Sequence, residues 1–142
     1  MKVIDATGKV CGRLASSVAK MLLNGEEVSI INAEKAVISG SLASITSLYK
    51  VRLDRGDKHK GPFVSRLPDR MMKRTVRGML PYKKSSGREA LRRLKVFVGT
   101  PKEFGGKVDE MNTKTVSSLT SEHITLHDLS KKLGRKPVVG NF

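Results

Sequence analysis

The sequence predicts an α/β domain in layers, and the first 33 residues carry the main evidence. Residues 2–6 are typical of a short strand, and residues 12–23 repeat apolar side chains at helical spacing. Residues 27–33 form a β-branched, mostly apolar run of the kind found in buried strands. A strand, a helix and a second strand in succession favour a helix packed on a sheet. The chain has 142 residues, which is enough for one domain with a core.

The elements that follow are predicted from the same kinds of pattern. Residues 36–39 form a third short strand, and residues 42–52 form a helix with Leu42, Ile45 and Tyr49 on one side. Pro68 begins a helix over residues 68–80, because proline is favoured in the first helical turn.

Two capping patterns predict the later helices. The segment from Ser86 to Glu89 has the spacing of a capping box and opens a second helix. Residues 95–100 then return as a core strand. In the last third, Thr125 and Asp128 predict the start of a short helix that ends at Leu133.

The positive charge of the chain is concentrated in its middle third. Residues 50–102 hold 17 of the 28 Lys and Arg residues against 4 acidic residues. The preceding segment has 5 basic residues against 4 acidic ones, and the following segment has 6 against 5. Concentrated like charge opposes the compact state, so we expect a polyanion to neutralise it. The simplest such partner is a nucleic acid.

The predicted contacts lie in a glycine-punctuated loop over residues 54–62, on helix 68–80 and on the helix after it. On helix 68–80 the basic residues fall within an arc of about 100°. That arc lies opposite a predicted apolar face of Met71, Met72, Thr75, Val76, Met79 and Leu80. The predicted RNA-binding residues are Lys50, Arg52, Arg55, Lys58, His59, Lys60, Arg66, Arg70, Lys73, Arg74, Arg77, Lys83, Lys84, Arg88, Arg92 and Arg93.

The kind of nucleic acid is indicated by the aromatic content. The chain has no Trp, two Tyr and four Phe, whereas single-strand binders stack bases on exposed aromatic rings. Recognition of a folded RNA by its shape and phosphates therefore fits better than stacking. A free-standing DNA-binding or RNA-processing factor remains an alternative, and a nuclease is a third.

No catalytic site, metal site or cofactor is expected. His123 and His127 have the spacing of two zinc ligands on a helix, but position 124 is not the glutamate of H-E-x-x-H. A metal-dependent nuclease would use Asp54, Asp57 and His59, yet ion pairs with the surrounding basic residues account for these carboxylates.

Cys11 is expected to pack at the start of the first helix rather than act as a nucleophile. As the single cysteine, it excludes an intrachain disulfide framework. No run of about 18 apolar residues is present, so no membrane partner is expected.

Three ordered motifs resemble one family. Residues 5–15 (DATGKVCGRLA), 31–35 (INAEK) and 76–81 (VRGMLP), with Gly87 to Glu89 and residues 94–99, resemble the universal large-subunit ribosomal protein thirteen family. The tail resembles its archaeal and eukaryotic branch.

The resemblance implies a three-layer α/β/α fold around a small, largely parallel four-stranded sheet built from residues 2–6, 27–33, 36–39 and 95–99. It also implies a structural, non-enzymatic role in the cytoplasm, within the ribosome, with large-subunit rRNA and neighbouring ribosomal proteins as partners. On the family's pattern Gly78 and Pro81 shape the helix end that presents Arg77 and Lys83. The expected organisation is one domain over residues 1–142, with an RNA-binding segment at 50–95 and a C-terminal extension at 103–142. That extension is nearly neutral, so we expect truncation after Lys102 to leave a folded domain that keeps most of its binding to naked RNA and is incorporated less well into subunits. In the alternative, Ile124, Leu126, Leu129 and Leu133 dock on the core, and the truncated protein loses its cooperative melting transition.

Overall fold

The computed structural model describes residues 1–106, 108–109, 111, 113 and 115–134. It contains a parallel sheet of three strands, in the order β1 (Lys2–Asp5), β2 (Val28–Ile31) and β4 (Leu94–Val96). The register places Ile4 beside Ile30, and Ile30 beside Val96. The predicted α/β class is therefore confirmed, with a small and mostly parallel sheet.

The described part of the chain contains five α-helices, which the sequence predicts within a few residues at each end. They are α1 (Cys11–Leu23), α2 (Leu42–Asp54), α3 (Pro68–Met79), α4 (Ser85–Arg92) and α5 (Leu126–Lys132). None of them combines the length and the apolar character needed to cross a bilayer.

The two faces of the sheet are covered differently. Ile4 and Ile30 point toward the helices and belong to the main core, which α1 and α3 complete. On the other face Val3 and Ile31 pack against Phe104, which lies in a short 3-10 turn. Among the described residues, the 3-10 turn supplies the buried residue that packs on this second face, and the expected three-layer arrangement is not confirmed.

The expected four-stranded sheet is also not found among the described residues. Residues 37–39 do form the predicted strand β3 (Val37–Ser39), but it pairs antiparallel with β5 (His123–Thr125) in a separate sheet. The sequence did not predict β5, a three-residue strand. Because β3 lies outside the parallel sheet, its backbone N–H and C=O groups need other partners, and β5 supplies them.

β5 and the segment after it are part of the core. Ile124, Leu126, Leu129 and Leu133 are all buried. The predicted cap of α5 is confirmed, since Thr125 Oγ1 accepts a hydrogen bond of 3.1 Å from the backbone N–H of Asp128. This burial favours the alternative in which the segment docks on the core, and the effect of truncation after Lys102 stays a prediction.

The start of α4 differs from its prediction. The helix begins at Ser85, and its N-cap residue Lys84 makes no capping hydrogen bond through its side chain. The capping box over 86–89 is therefore wrong. A tight turn replaces it, because the Lys84 N–H donates to the carbonyl of Pro81 at 2.9 Å and so starts the helix earlier.

The last predicted strand is shorter than expected. Hydrogen bonds continue past Val96, with the Phe97 N–H donating to Ile30 at 2.8 Å and Asn32 donating to Gly99 at 3.0 Å. Gly99 has a positive φ of 74°, however, so the chain turns away from regular strand geometry.

A polar network joins the carboxyl ends of β1 and β2. Asp5 Oδ1 accepts hydrogen bonds from the Thr7 hydroxyl at 2.6 Å and from Asn32 Nδ2 at 3.0 Å. Although burial raises the pKa of Asp5, these hydrogen bonds and the nearby Lys9 outweigh burial and hold the pKa below its usual value. The ionised form of Asp5 is therefore part of the folded state.

Candidate nucleic-acid interface

Helix α3 separates its basic and apolar side chains onto two faces. Met71, Met72 and Val76 are buried against the core. The opposite face is exposed and carries Arg70, Lys73, Arg74 and Arg77, which confirms their predicted placement. Since these four residues are spaced at three or four positions, they form a continuous basic stripe along the helix.

Two predicted members of the apolar face of α3 behave differently from each other. Leu80 is 4% exposed, whereas Met79 is 43% exposed, so the inward placement of Met79 is wrong. Met79 is the last residue of α3, and Leu80 adopts an extended backbone as the C-cap. The chain thus turns at this point and brings Leu80, rather than Met79, into the core.

Most basic residues of α4 and of the turn before it face solvent. Lys83, Lys84, Arg88 and Arg92 are exposed. Arg93 is half-buried, and its Nη1 donates a hydrogen bond of 3.2 Å to the carbonyl of Leu22. That contact satisfies a carbonyl at the end of α1 and gives Arg93 a structural role.

The loop after α2 is closed by its own backbone. The Asp57 N–H donates to the Gly61 carbonyl at 3.2 Å, and the Gly61 N–H donates back at 3.0 Å. Between them Lys58, His59 and Lys60 are exposed, as is Arg55 just before the closure. The loop therefore presents its basic tip as a defined turn.

The ion pairs predicted for this loop are not found. Within the described residues, one salt bridge is found. It joins Lys2 Nζ to Glu26 Oε2 at 2.9 Å and lies outside the interface. Among the described residues, neither Asp54 nor Asp57 has a basic side-chain nitrogen within 4.0 Å of its carboxylate. The charge of the predicted interface is thus left for an external anion.

The remaining predicted residues flank the stripe on α3. Lys50 and Arg52 are exposed on α2, and the Arg52 guanidinium lies 5.4 Å from the centre of the Tyr49 ring. Arg66 is exposed just before α3. Of the stripe itself, Lys73 also holds the fold, since its Nζ donates to the Leu94 carbonyl at 3.3 Å.

An aromatic contact that the sequence does not predict orients one arginine of the stripe. The Arg77 guanidinium lies 4.4 Å from the centre of the Tyr82 ring. Such a stack leaves the N–H groups at the edge of the guanidinium free for a phosphate. Gly87 allows the turn that places Tyr82, because a Cβ at this position would lie 2.2 Å from the Pro81 carbonyl oxygen.

Helices α2 and α3 border a groove of about 890 Å³, which we call the α2–α3 groove. Its lining includes Ile45 and Leu48 from α2 and Phe63 from the segment before α3. Basic side chains complete it, namely Arg52, Arg70, Lys73, Arg74 and Arg77. The groove thus joins apolar surface to the basic stripe.

The alternative catalytic groups are not assembled into a site. In the described part of the chain, His, Cys, Asp and Glu form no group of three or more that could hold a metal ion. His123 lies in β5 and His127 in α5, so the two do not share a helix. Cys11 is buried, as predicted, and burial raises its pKa to about 11, which disfavours the nucleophilic thiolate.

Comparison with known proteins agrees with the resemblance drawn from the motifs. The model of a family described as ribosomal protein L13 matches residues 1–103. The large ribosomal subunit protein uL13 of Archaeoglobus fulgidus is 49% identical over 140 residues, covering 96% of this chain and 89% of that protein. Its counterpart in Methanococcoides burtonii is 50% identical over 138 residues, covering 96% and 99%.

A third relative, the large ribosomal subunit protein uL13 of Thermoplasma acidophilum, is 47% identical over 138 residues, covering 94% of this chain and 98% of that protein. These archaeal relatives extend the match beyond residue 103, through the segment that contains β5 and α5. The chain therefore belongs to the ribosomal protein L13 family, a structural and non-enzymatic family of the large ribosomal subunit.

Proposed function

We propose that the protein binds large-subunit rRNA through the basic loop, α3 and α4, and that it supports assembly of the large subunit in the cytoplasm. The observation that carries this proposal is the exposed basic stripe on α3, together with the exposed basic residues of the loop tip and of α4. Neighbouring ribosomal proteins are the further partners that we propose, on surfaces outside this stripe.

The physical basis of the proposed binding is the release of counterions. Each phosphate that a Lys or Arg neutralises frees condensed cations from the RNA. If about six phosphates are neutralised on duplex-like RNA, the logarithm of the binding constant falls with the logarithm of the salt concentration at a slope of about −5.

The test measures filter binding of the full chain to a large-subunit rRNA transcript across a series of salt concentrations. Replacing Arg70, Arg74 and Arg77 with Ala together is expected to weaken binding several-fold and to make the slope shallower. The matched control replaces Arg13, Lys20 and Lys35 with Ala. These three residues are exposed outside the interface, and their replacement removes the same amount of positive charge. A wild-type slope near zero, or equal losses for the two triple variants, would refute the proposed interface.

The alternative functions predict different results. A free-standing DNA-binding or RNA-processing factor would not co-sediment with the large subunit, whereas we expect this protein to do so. A nuclease would cleave RNA or DNA in a metal-dependent manner and would lose that activity on Asp54→Asn. No observation in the described residues favours either alternative, since Asp54 and Asp57 share no metal-binding group.

A further inference from the structure

Phe63 has the highest exposure among the large apolar side chains of the described residues, at 74%. Burying a Phe side chain contributes about 1.5–3 kcal/mol, so a ring that remains in water leaves this stabilisation unused. A single exposed apolar residue is ordinary by itself. What distinguishes Phe63 is its position on the α2–α3 groove, beside basic side chains.

The loop before Phe63 sets the backbone from which the ring projects. A Cβ built on Gly61 would lie 3.1 Å from Cδ2 and Cε2 of the Phe63 ring, so the ring rests close to the glycine backbone. Gly61 has a positive φ of 76°, and two backbone hydrogen bonds to Asp57 fix this conformation. The backbone that leads to Phe63 is therefore held in a defined turn, which limits the backbone entropy lost when a ligand binds at the ring.

The charge of the groove selects the kind of ligand. Five basic side chains contribute to its lining, and none of the described residues that line it is acidic. A ligand of this groove must therefore combine negative charge with a group that prefers apolar surroundings. A nucleotide has both features, since its phosphate is anionic and its base is a flat aromatic group.

We propose that an unpaired base of the bound RNA enters the α2–α3 groove and stacks on the exposed surface of Phe63, while its flanking phosphates contact Arg70 and Arg74. This inference rests on the proposed function and adds to it one position of base recognition. The volume of about 890 Å³ is sufficient for a single nucleotide, since ligand pockets span about 300–1,000 Å³. The low aromatic content predicted recognition without stacking, and Phe63 provides a local exception.

The test compares Phe63→Ala, Phe63→Leu and wild type for binding to a large-subunit rRNA transcript over a range of salt. Phe63→Ala is expected to weaken binding by about 5- to 150-fold, the range for loss of one base–aromatic stack. The salt slope should stay unchanged, because no charge is removed. The affinity of Phe63→Leu should lie between that of Phe63→Ala and that of the wild type. The control is Leu23→Ala, which removes an exposed apolar side chain at the end of α1.

Chemical probing of the same complexes with dimethyl sulfate supplies the second readout. One base should be protected by the wild-type protein and by Leu23→Ala but should become reactive with Phe63→Ala. The inference is overturned if Phe63→Ala binds with the affinity of the wild type and still protects the base. Normal binding to naked rRNA with reduced incorporation into reconstituted subunits would also overturn it and would assign the groove to a protein neighbour. Salt-independent binding by the wild-type protein would overturn the proposed function as well.

Discussion

Val76 and Met79 lie one turn apart on α3, and an aspartate at each position is expected to have a different effect on stability. Val76 is 0% exposed, so Val76→Asp places a carboxylate in the core. The effective penalty for a buried ion is several kcal/mol, and the lost apolar burial adds about 1.5 kcal/mol. Because small domains are stable by only about 5–15 kcal/mol, Val76→Asp should remove much of the free energy of unfolding.

Met79→Asp is the matched change on the same helix. Met79 is 43% exposed, so its carboxylate stays hydrated and the free energy of unfolding should change by no more than about 0.5 kcal/mol. For a domain of this length that corresponds to a shift in Tm of about 1–2 °C.

The assay is thermal unfolding of both variants and the wild type, followed by circular dichroism without RNA. A large loss of Tm for Val76→Asp alone is the expected result. Equal losses for Val76→Asp and Met79→Asp would show that the two faces of α3 are assigned wrongly.

Three further predictions concern backbone space, acid stability and the tail. In chemical denaturation, Gly87→Ala should destabilise the protein, because its Cβ would meet the Pro81 carbonyl at 2.2 Å. Gly78→Ala should stabilise the protein by about 0.5–1 kcal/mol in the same experiment, because its Cβ meets nothing within 4 Å inside α3. The pKa of Asp5 is lowered on folding, so Asp5 contributes stability above its unfolded pKa that is lost as the pH falls through its folded pKa. Denaturation as a function of pH should show that Asp5→Asn lowers stability at neutral pH and reduces the loss below about pH 4. Truncation after Lys102 should abolish the cooperative melting transition, because it removes buried side chains from the core. A cooperative transition in the truncated protein would show that the tail is dispensable for folding.

The amphipathic helices were predicted well because their signal is local. In α1 the apolar residues Leu14, Val18 and Leu22 recur at helical spacing, and all three are 0% exposed. The same period separates the basic stripe of α3 from its buried face. Any packing that buries the apolar side must expose the basic side, so the exposure of these basic residues was predictable without knowing the tertiary fold.

The pairing of strands was not predictable in this way. Ile38 and Ile124 are direct partners in the antiparallel ladder, although they are 86 positions apart in the sequence. A three-residue strand such as β5 carries almost no periodicity of its own. The position of β5 depends on its contacts with α5, and local sequence patterns do not predict such tertiary contacts.

The turn between α3 and α4 shows a second limit. The sequence from Ser86 to Glu89 satisfies the spacing of a capping box, yet no side chain caps the helix at Lys84. The Lys84 N–H already donates to the Pro81 carbonyl in the turn where the helix begins, so the helix starts without a capping box. The stacking of Arg77 on Tyr82 depends on the same turn, and only the folded backbone brings the two side chains together.

The tail and the proposed interface meet at the start of α3. The hydroxyl of Ser130 in α5 is in a buried residue and donates a hydrogen bond of 2.7 Å to the backbone carbonyl of Arg66. A Cβ on Gly134 would lie 3.5 Å from Nη1 of Arg66, so the end of this segment also approaches the arginine side chain. Because α5 packs on α3 as well, the tail fixes the direction in which α3 leaves the loop. A segment with little net charge therefore helps to position the basic stripe through which we propose that the protein binds RNA.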